Sequence, residues 1–184
     1  MARLPALDPA PADGVVALRR WVPADVPAIA AACRDPEIQR WTFVPDDYDA
    51  LKARAFVAAS STRWWAGSGA DVAIVDAVQP ERVLGSVGLV RIEWERACGE
   101  VGYWVAPGER RRGVAARAVA LLSAWAFERL ALTRLELIPF VGNEASQRVA
   151  ERAGYVREPG PPFVFAADTK HGPVEGVLFA RTAL

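Results

Sequence analysis

The stretch Tyr103-Trp104-Val105-Ala106-Pro107-Gly108-Glu109-Arg110-Arg111-Arg112-Gly113-Val114-Ala115 holds the residues best suited to chemistry. An alternating strand runs into a Pro-Gly turn, three arginines follow, and a glycine opens an amphipathic helix. The first N–H groups of a helix have no intrahelical partner, and the helix dipole adds partial positive charge there. A phosphate can therefore sit on Gly113 and the amides beside it while arginines add formal charge. Glycine also lets a ligand approach the backbone closely. Residues 109–117 carry four Arg against one Glu, in a chain whose 22 basic and 22 acidic side chains cancel overall. Compact positive charge on a neutral protein suits a small polyanion better than a nucleic-acid duplex or an anionic membrane. A diphosphate-bearing cofactor is the ligand this arrangement predicts.

Other chemistries have little to work with. Two cysteines, Cys33 and Cys98, give no disulfide framework, and with a single histidine no metal site is expected. His171 lies in Asp168-Thr169-Lys170-His171-Gly172-Pro173, which reads as a turn rather than as part of a nucleophile relay. Residues 1–14 are rich in Ala and Pro and lack a basic region followed by an apolar run. The most apolar stretch, 114–127, contains Arg117 and is too short to span a bilayer. These features predict a cytoplasmic protein with no membrane or nucleic-acid partner.

The elements that must position the anion site follow from periodicity. At 184 residues and 52% hydrophobic content, one domain over 14–184 is expected, after a flexible tail over 1–13. A first strand spans 15–21, and a helix begins at Pro23-Ala24-Asp25 and stops near Asp35-Pro36. Residues 38–45 read as aromatic and irregular. Asp46-Asp47 caps a second helix running to about Trp65 and ended by Gly67. Strands over 72–76 and 83–93 form a hairpin, and a fourth strand spans 100–105. Val101, Tyr103 and Val105 share one face of it; Glu100, Gly102 and Trp104 share the other. The helix after Gly113 leads to a strand at 135–138, so these two strands should be parallel. A short helix follows Asn143, and strands at 155–157, 163–166 and 174–181 complete a mixed α/β arrangement.

Arg110-x-x-Gly113-x-Ala115, between a strand and a helix, resembles the acetyl-CoA-binding motif of the GNAT N-acetyltransferase superfamily. Glu100-x-Gly102-Tyr103-Trp104 before it, and Asn143-x-x-Ser146 and Gly154-Tyr155 after it, resemble the ribosomal-protein N-terminal acetyltransferase branch. The resemblance implies a central, mostly antiparallel sheet of about seven strands with a splayed parallel pair and flanking helices. It implies acetyl-CoA as co-substrate, with its diphosphate on Arg110, Arg111, Arg112, Gly113, Val114 and Ala115. Its pantetheine arm would pair with the backbone of Trp104, Val105 and Ala106 and meet the Asn143 side chain. Glu100 stands at the position of the general base, with Glu136 as runner-up and Glu93 and Glu95 as further alternatives. Ser146 stands near the departing sulfur. Tyr155 is read as core. Arg117 departs from the family pattern, which has Glu there, and so a non-catalytic acyl-CoA-binding module is the second reading.

The acceptor would be a small-molecule or peptide amine. Aromatic residues crowd the first half of the chain, and Trp41, Phe43 and Trp94 are the expected acceptor contacts, while Trp64 and Trp125 read as core. A protein N-terminus, a free amino acid, a polyamine and an aminoglycoside all fit the sequence. Trp-rich segments and an edge strand over 174–181 point to a homodimer.

Overall fold

The computed structural model describes residues 4–165 and 170–183. Its strands are β1 (Val16–Arg20), β2 (Ala70–Asp76), β3 (Val83–Glu93), β4 (Cys98–Val105), β5 (Arg134–Leu137), β6 (Val156–Arg157), β7 (Phe163–Val164), β8 (Glu175–Gly176) and β9 (Phe179–Thr182). Its helices are α1 (Val26–Ala32), α2 (Pro36–Trp41), α3 (Ala50–Ala66), α4 (Val114–Leu130) and α5 (Glu144–Arg152). Seven strands form one sheet in the order β1-β2-β3-β4-β5-β9-β6. β1 to β4 form an antiparallel meander, and β4 pairs with β5 in parallel across the α4 connection. This is the mixed, mostly antiparallel sheet with one parallel pair that the resemblance implied.

The sheet is covered on both faces. Strand β2 shows why: Val72 and Ile74 turn towards α4, while Ala73 and Val75 turn towards α1 and α3. All four are fully or almost fully buried, so the strand reads as an apolar run rather than an alternation. On the α4 side, Ala118, Val119, Leu122 and Ala126 are fully buried at helical spacing. Trp64 and Trp125 stack there with ring centroids 5.5 Å apart. Both are core, as their spacing suggested.

Four expectations are corrected. Residues 36–41 form α2 where irregular chain was expected; Asp35 caps it by accepting the Ile38 N–H at 3.0 Å, and Pro36 takes the first turn. Asp-Pro is thus a start signal as well as a stop signal. Helix α3 is capped by Asp49, which accepts the Lys52 N–H at 2.8 Å, rather than by Asp46-Asp47. The strand expected over 174–181 is split at Val177 and Leu178, and β9 lies inside the sheet between β5 and β6. Of the two grounds for a homodimer, the edge strand is thus lost at β9, and the Trp-rich segments remain. Finally, the expected tail is packed from Leu4 onward. Leu4 is buried and donates its N–H to Trp64 O, and Leu18 N–H reaches Pro11 O at 2.8 Å.

The pairing of β4 is unequal on its two sides. β3 accompanies it to Val105, whereas β5 accompanies it only from Cys98 to Val101. Residues 102–105 therefore have no strand partner on the β5 side, and the parallel pair splays open.

Candidate active site

The opened strand supplies backbone donors. Ala106 donates its N–H to Leu84 O at 2.9 Å, so strand alternation turns the Val105 N–H into the gap. Two cavities meet there. One, of about 730 Å³, is lined by Val105, Arg110, Arg111, Gly113, Val114 and Ala115. The other, of about 710 Å³, lies against α3 and the α2–α3 loop and includes Glu100, Gly102 and Phe43. Trp41, Thr42, Tyr103, Trp104, Asn143 and Ser146 line both. A side chain at Gly102 would bring a Cβ within 2.8 Å of Val90, so glycine keeps this part of the floor open.

The loop entering α4 carries the candidate anion site. Gly113 has φ +76° and serves as N-cap, a conformation that side chains resist, and no side chain covers the first amides of the helix. The arginines divide. Arg111, also at positive φ (63°), lines the cavity and makes no ion pair among the described residues. Arg110 lines it too but pairs with Asp35, the cap of α2. Arg112 pairs with Glu109, which also holds Arg82, and does not reach the cavity. Ala106 is likewise engaged, since its N–H goes to β3 and its carbonyl accepts the Glu109 N–H at 2.9 Å. Arg112 and Ala106 therefore leave the expected cofactor contacts. Arg117 turns to Asp13 at 2.6 Å. The N–H of Val16, with Arg117, outweighs burial and holds the Asp13 carboxyl below its ordinary value.

Asn143 reconciles two roles. Its Oδ1 accepts the Ser146 N–H at 3.0 Å and caps α5, and its amide nitrogen makes no hydrogen bond among the described residues. That nitrogen remains a donor at the junction of the cavities. Ser146 accepts a 2.7 Å hydrogen bond from the Tyr103 hydroxyl, which leaves the serine proton free to donate. Burial pushes the Tyr103 phenol up to about 12. The sequence places Tyr103 on a strand face and in the family pattern but gives it no contact; nothing in the local pattern ties it to a helix residue 43 positions away. Tyr155 is core, its hydroxyl 2.8 Å from that of Ser123.

Glu100 reaches the second cavity, and Glu136, Glu93 and Glu95 line neither. Burial holds the Glu100 carboxyl above its ordinary value; Arg91, 3.2 Å away and half exposed, pulls it back, and Glu136 on the next strand pushes it further up. A carboxylate raised in this way is a better proton acceptor near neutral pH than a solvated one. Glu136 is held by Arg134 at 2.8 Å, which also grips Glu158 through two hydrogen bonds of 2.8 and 2.9 Å.

The aromatic expectations divide as well. Trp41 and Phe43 line the second cavity, where Phe43, Phe140 and Phe165 form a triangle of edge contacts with centroids 5.3–5.5 Å apart. Trp94 lines neither cavity; its indole donates to Gly67 O at 2.8 Å and ties the β3–β4 turn to the end of α3. His171 donates through Nε2 to Thr42 O at 2.9 Å and packs on Phe43 and Phe140, which makes it a fastener for the cavity wall. Cys33 lines the same cavity, and burial pushes its thiol up to about 12.

Comparison with known proteins agrees with this geometry. Residues 16–156 match the model of the acetyltransferase (GNAT) domain family. A candidate ribosomal N-acetyltransferase of Bacillus subtilis, YdaF, is 34% identical over 76 residues, covering 41% of this chain and 42% of that protein. The chain thus spans about two fifths of the length of the curated relatives it matches. Among solved structures, a candidate ribosomal-protein-serine acetyltransferase from Vibrio cholerae superposes with a TM-score of 0.81 at 22% identity, covering 97% of this chain and 99% of that one. The spermidine N-acetyltransferase of Vibrio cholerae, in complex with CoA and spermine, gives 0.76 at 16% identity, with 92% and 96% covered. The structural likenesses establish the fold, and the match over residues 16–156 establishes the family: this chain belongs to the GNAT acetyltransferases.

Proposed function

We propose that the protein is an N-acetyltransferase that moves an acetyl group from acetyl-CoA directly to a primary amine. The observation that carries this reading is the meeting of two cavities at the opened strand β4, with helix-opening amides on one side and Glu100 on the other. Acetyl-CoA supplies the acetyl group as an activated thioester. Gly113, Val114 and Ala115 amides, with Arg111 and Arg110, hold the diphosphate. Asn143 and the free edge of β4 orient the pantetheine arm. Glu100 takes the proton from the incoming ammonium, since only the neutral amine attacks. The Val105 N–H points to where the carbonyl oxygen gathers charge. Ser146 gives its proton to the departing sulfur and regains one as the nitrogen of the forming amide sheds its second proton, so that the products are the amide and a free thiol.

Direct transfer suits the side chains present. Cys33 stays protonated at its raised value and makes a poor nucleophile, and His171 is committed to Thr42. The acceptor is a small-molecule or peptide amine; the named relatives act on a ribosomal protein and on spermidine. No helix among the described residues is long and apolar enough to cross a membrane, and a cytoplasmic location is part of this reading. The acyl-CoA-binding alternative drew on Arg117, which the Asp13 ion pair accounts for without reference to catalysis.

A screen of amines with free-thiol release as readout tests the proposal. Glu100→Gln should lower turnover about 10²-fold, the usual scale of a general-base effect. The loss should shrink as pH rises and more amine is already neutral. Acetyl-CoA binding with no thiol release for any amine class would overturn the reading.

A further inference from the structure

The cavity beside Glu100 has a composition that selects among amines. Among the described residues, four charged side chains line it, Lys52, Arg63, Asp71 and Glu100, two of each sign. All four are paired. Arg63 donates to Asp71 through both Nε and a terminal nitrogen, and Lys52 donates to Asp47 at 2.9 Å. Glu100 pairs with Arg91 at 3.2 Å, a half-exposed arginine outside the cavity lining, whereas the partner of Asp71, Arg63, lines the cavity with it. The rest of the wall is apolar, dominated by the Phe43–Phe140–Phe165 triangle and by Trp41.

We propose, resting on the transferase reading above, that this cavity takes a primary monoamine with an aromatic body, its ammonium at Glu100 and its ring on the phenylalanine triangle. The charge arithmetic carries the selection. A single ammonium finds one carboxylate, Glu100, whose partner Arg91 lies outside the cavity lining. A polyamine or an aminoglycoside brings several, and the additional ones would be desolvated beside Arg63 and Lys52, which carry like charge. An ammonium with no apolar body leaves the aromatic wall without a partner and forgoes its burial. A cavity of about 710 Å³ is ample for a one-ring amine next to the acetyl group.

The test compares 2-phenylethylamine, ethanolamine and spermidine on the full-length protein. Two readouts are taken: thiol release with acetyl-CoA, and calorimetric binding of each amine to the protein saturated with CoA. We expect kcat/KM for 2-phenylethylamine to exceed that of both others by about 10-fold or more, the discrimination an apolar pocket achieves from a modest gain in buried surface. Binding should follow the same order. Val90→Asp adds a carboxylate to the cavity at a position 48% exposed, and a melt of the variant checks that it folds. It should raise the spermidine-to-phenylethylamine ratio about 5-fold or more through added attraction for a second ammonium. Preference for spermidine or ethanolamine in the unmodified protein would overturn the monoamine class while leaving the transferase reading intact. Binding of 2-phenylethylamine in the expected order with no thiol released by any amine would uphold the cavity's selectivity and overturn the transferase reading. Failure of 2-phenylethylamine both to bind and to react would overturn the proposal.

Discussion

Glu100 has a price in stability as well as a role. Burial raises its carboxyl in the folded protein, so the native state binds more protons than the unfolded chain around that value. Stability from this group therefore increases as pH falls through the folded value and is lost as pH rises above it. Glu100→Gln should raise the melting temperature near neutral pH, with the gain fading in acid, even as turnover collapses. Melts of both proteins across that range check it; a variant less stable at neutral pH would show that the Arg91 contact outweighs burial. Asp13 has the opposite sign. Its lowered carboxyl contributes stability above the ordinary aspartate value, and the contribution is lost as pH falls through the folded value. Beside Ser146, the proposed donor to the departing sulfur, Tyr103 keeps its proton across ordinary assay conditions, because burial pushes its phenol up to about 12. Ser146→Ala should slow turnover about 10-fold and Tyr103→Phe by less, since the latter removes one orienting hydrogen bond. Acetyl-CoA affinity from calorimetry should move little in either. A Tyr103→Phe loss larger than that of Ser146→Ala would make the phenol the direct proton donor.

The cofactor loop and α2 act as one unit through Arg110 and Asp35. On the proposed reading, a diphosphate at α4 would draw on an arginine that already pairs with the cap of the neighbouring helix. Arg111→Ala should therefore cost more affinity for acetyl-CoA than Arg112→Ala, which faces Glu109 and should be nearly silent. Gly113→Glu should weaken binding about 10²-fold, because it forces a side chain to positive φ and sets a negative charge at the phosphate cradle. Calorimetry ranks the three; equal losses for Arg111→Ala and Arg112→Ala would mean that the loop rearranges on binding. Elements such as this were legible in sequence because their signals are local: alternation in β4, a turn, a glycine, then helical spacing. Helix α2 was not, because Asp35-Pro36 signals both an ending and a beginning. Nor was the Arg110–Asp35 pair, 75 residues apart, or the triangle that gathers Phe43, Phe140 and Phe165. Such contacts exist only once the sheet has brought distant segments together. Trp94 shows the converse error: its aromatic type suggested a ligand contact, and the fold used it to fasten a turn.

As a whole, the molecule protects the edges of its sheet. Residues 11–13 run along the outer side of β1, and β6 at the far edge is two residues long. Short or covered edges oppose strand-to-strand association. We expect a monomer of 19.9 kDa in sedimentation, and a dimer at micromolar concentration would mean that a face rather than an edge mediates contact. The opened strand pair has a further consequence, in the kinetics. Because the two cavities share Trp41, Thr42, Tyr103, Trp104, Asn143 and Ser146 but are otherwise lined by different residues, neither ligand need leave before the other arrives. Initial-rate plots should therefore intersect, and CoA should inhibit competitively against acetyl-CoA and noncompetitively against the amine. Parallel lines would reveal an acetylated protein waiting between half-reactions, and with it a nucleophile that a protonated Cys33 and a fastened His171 do not provide.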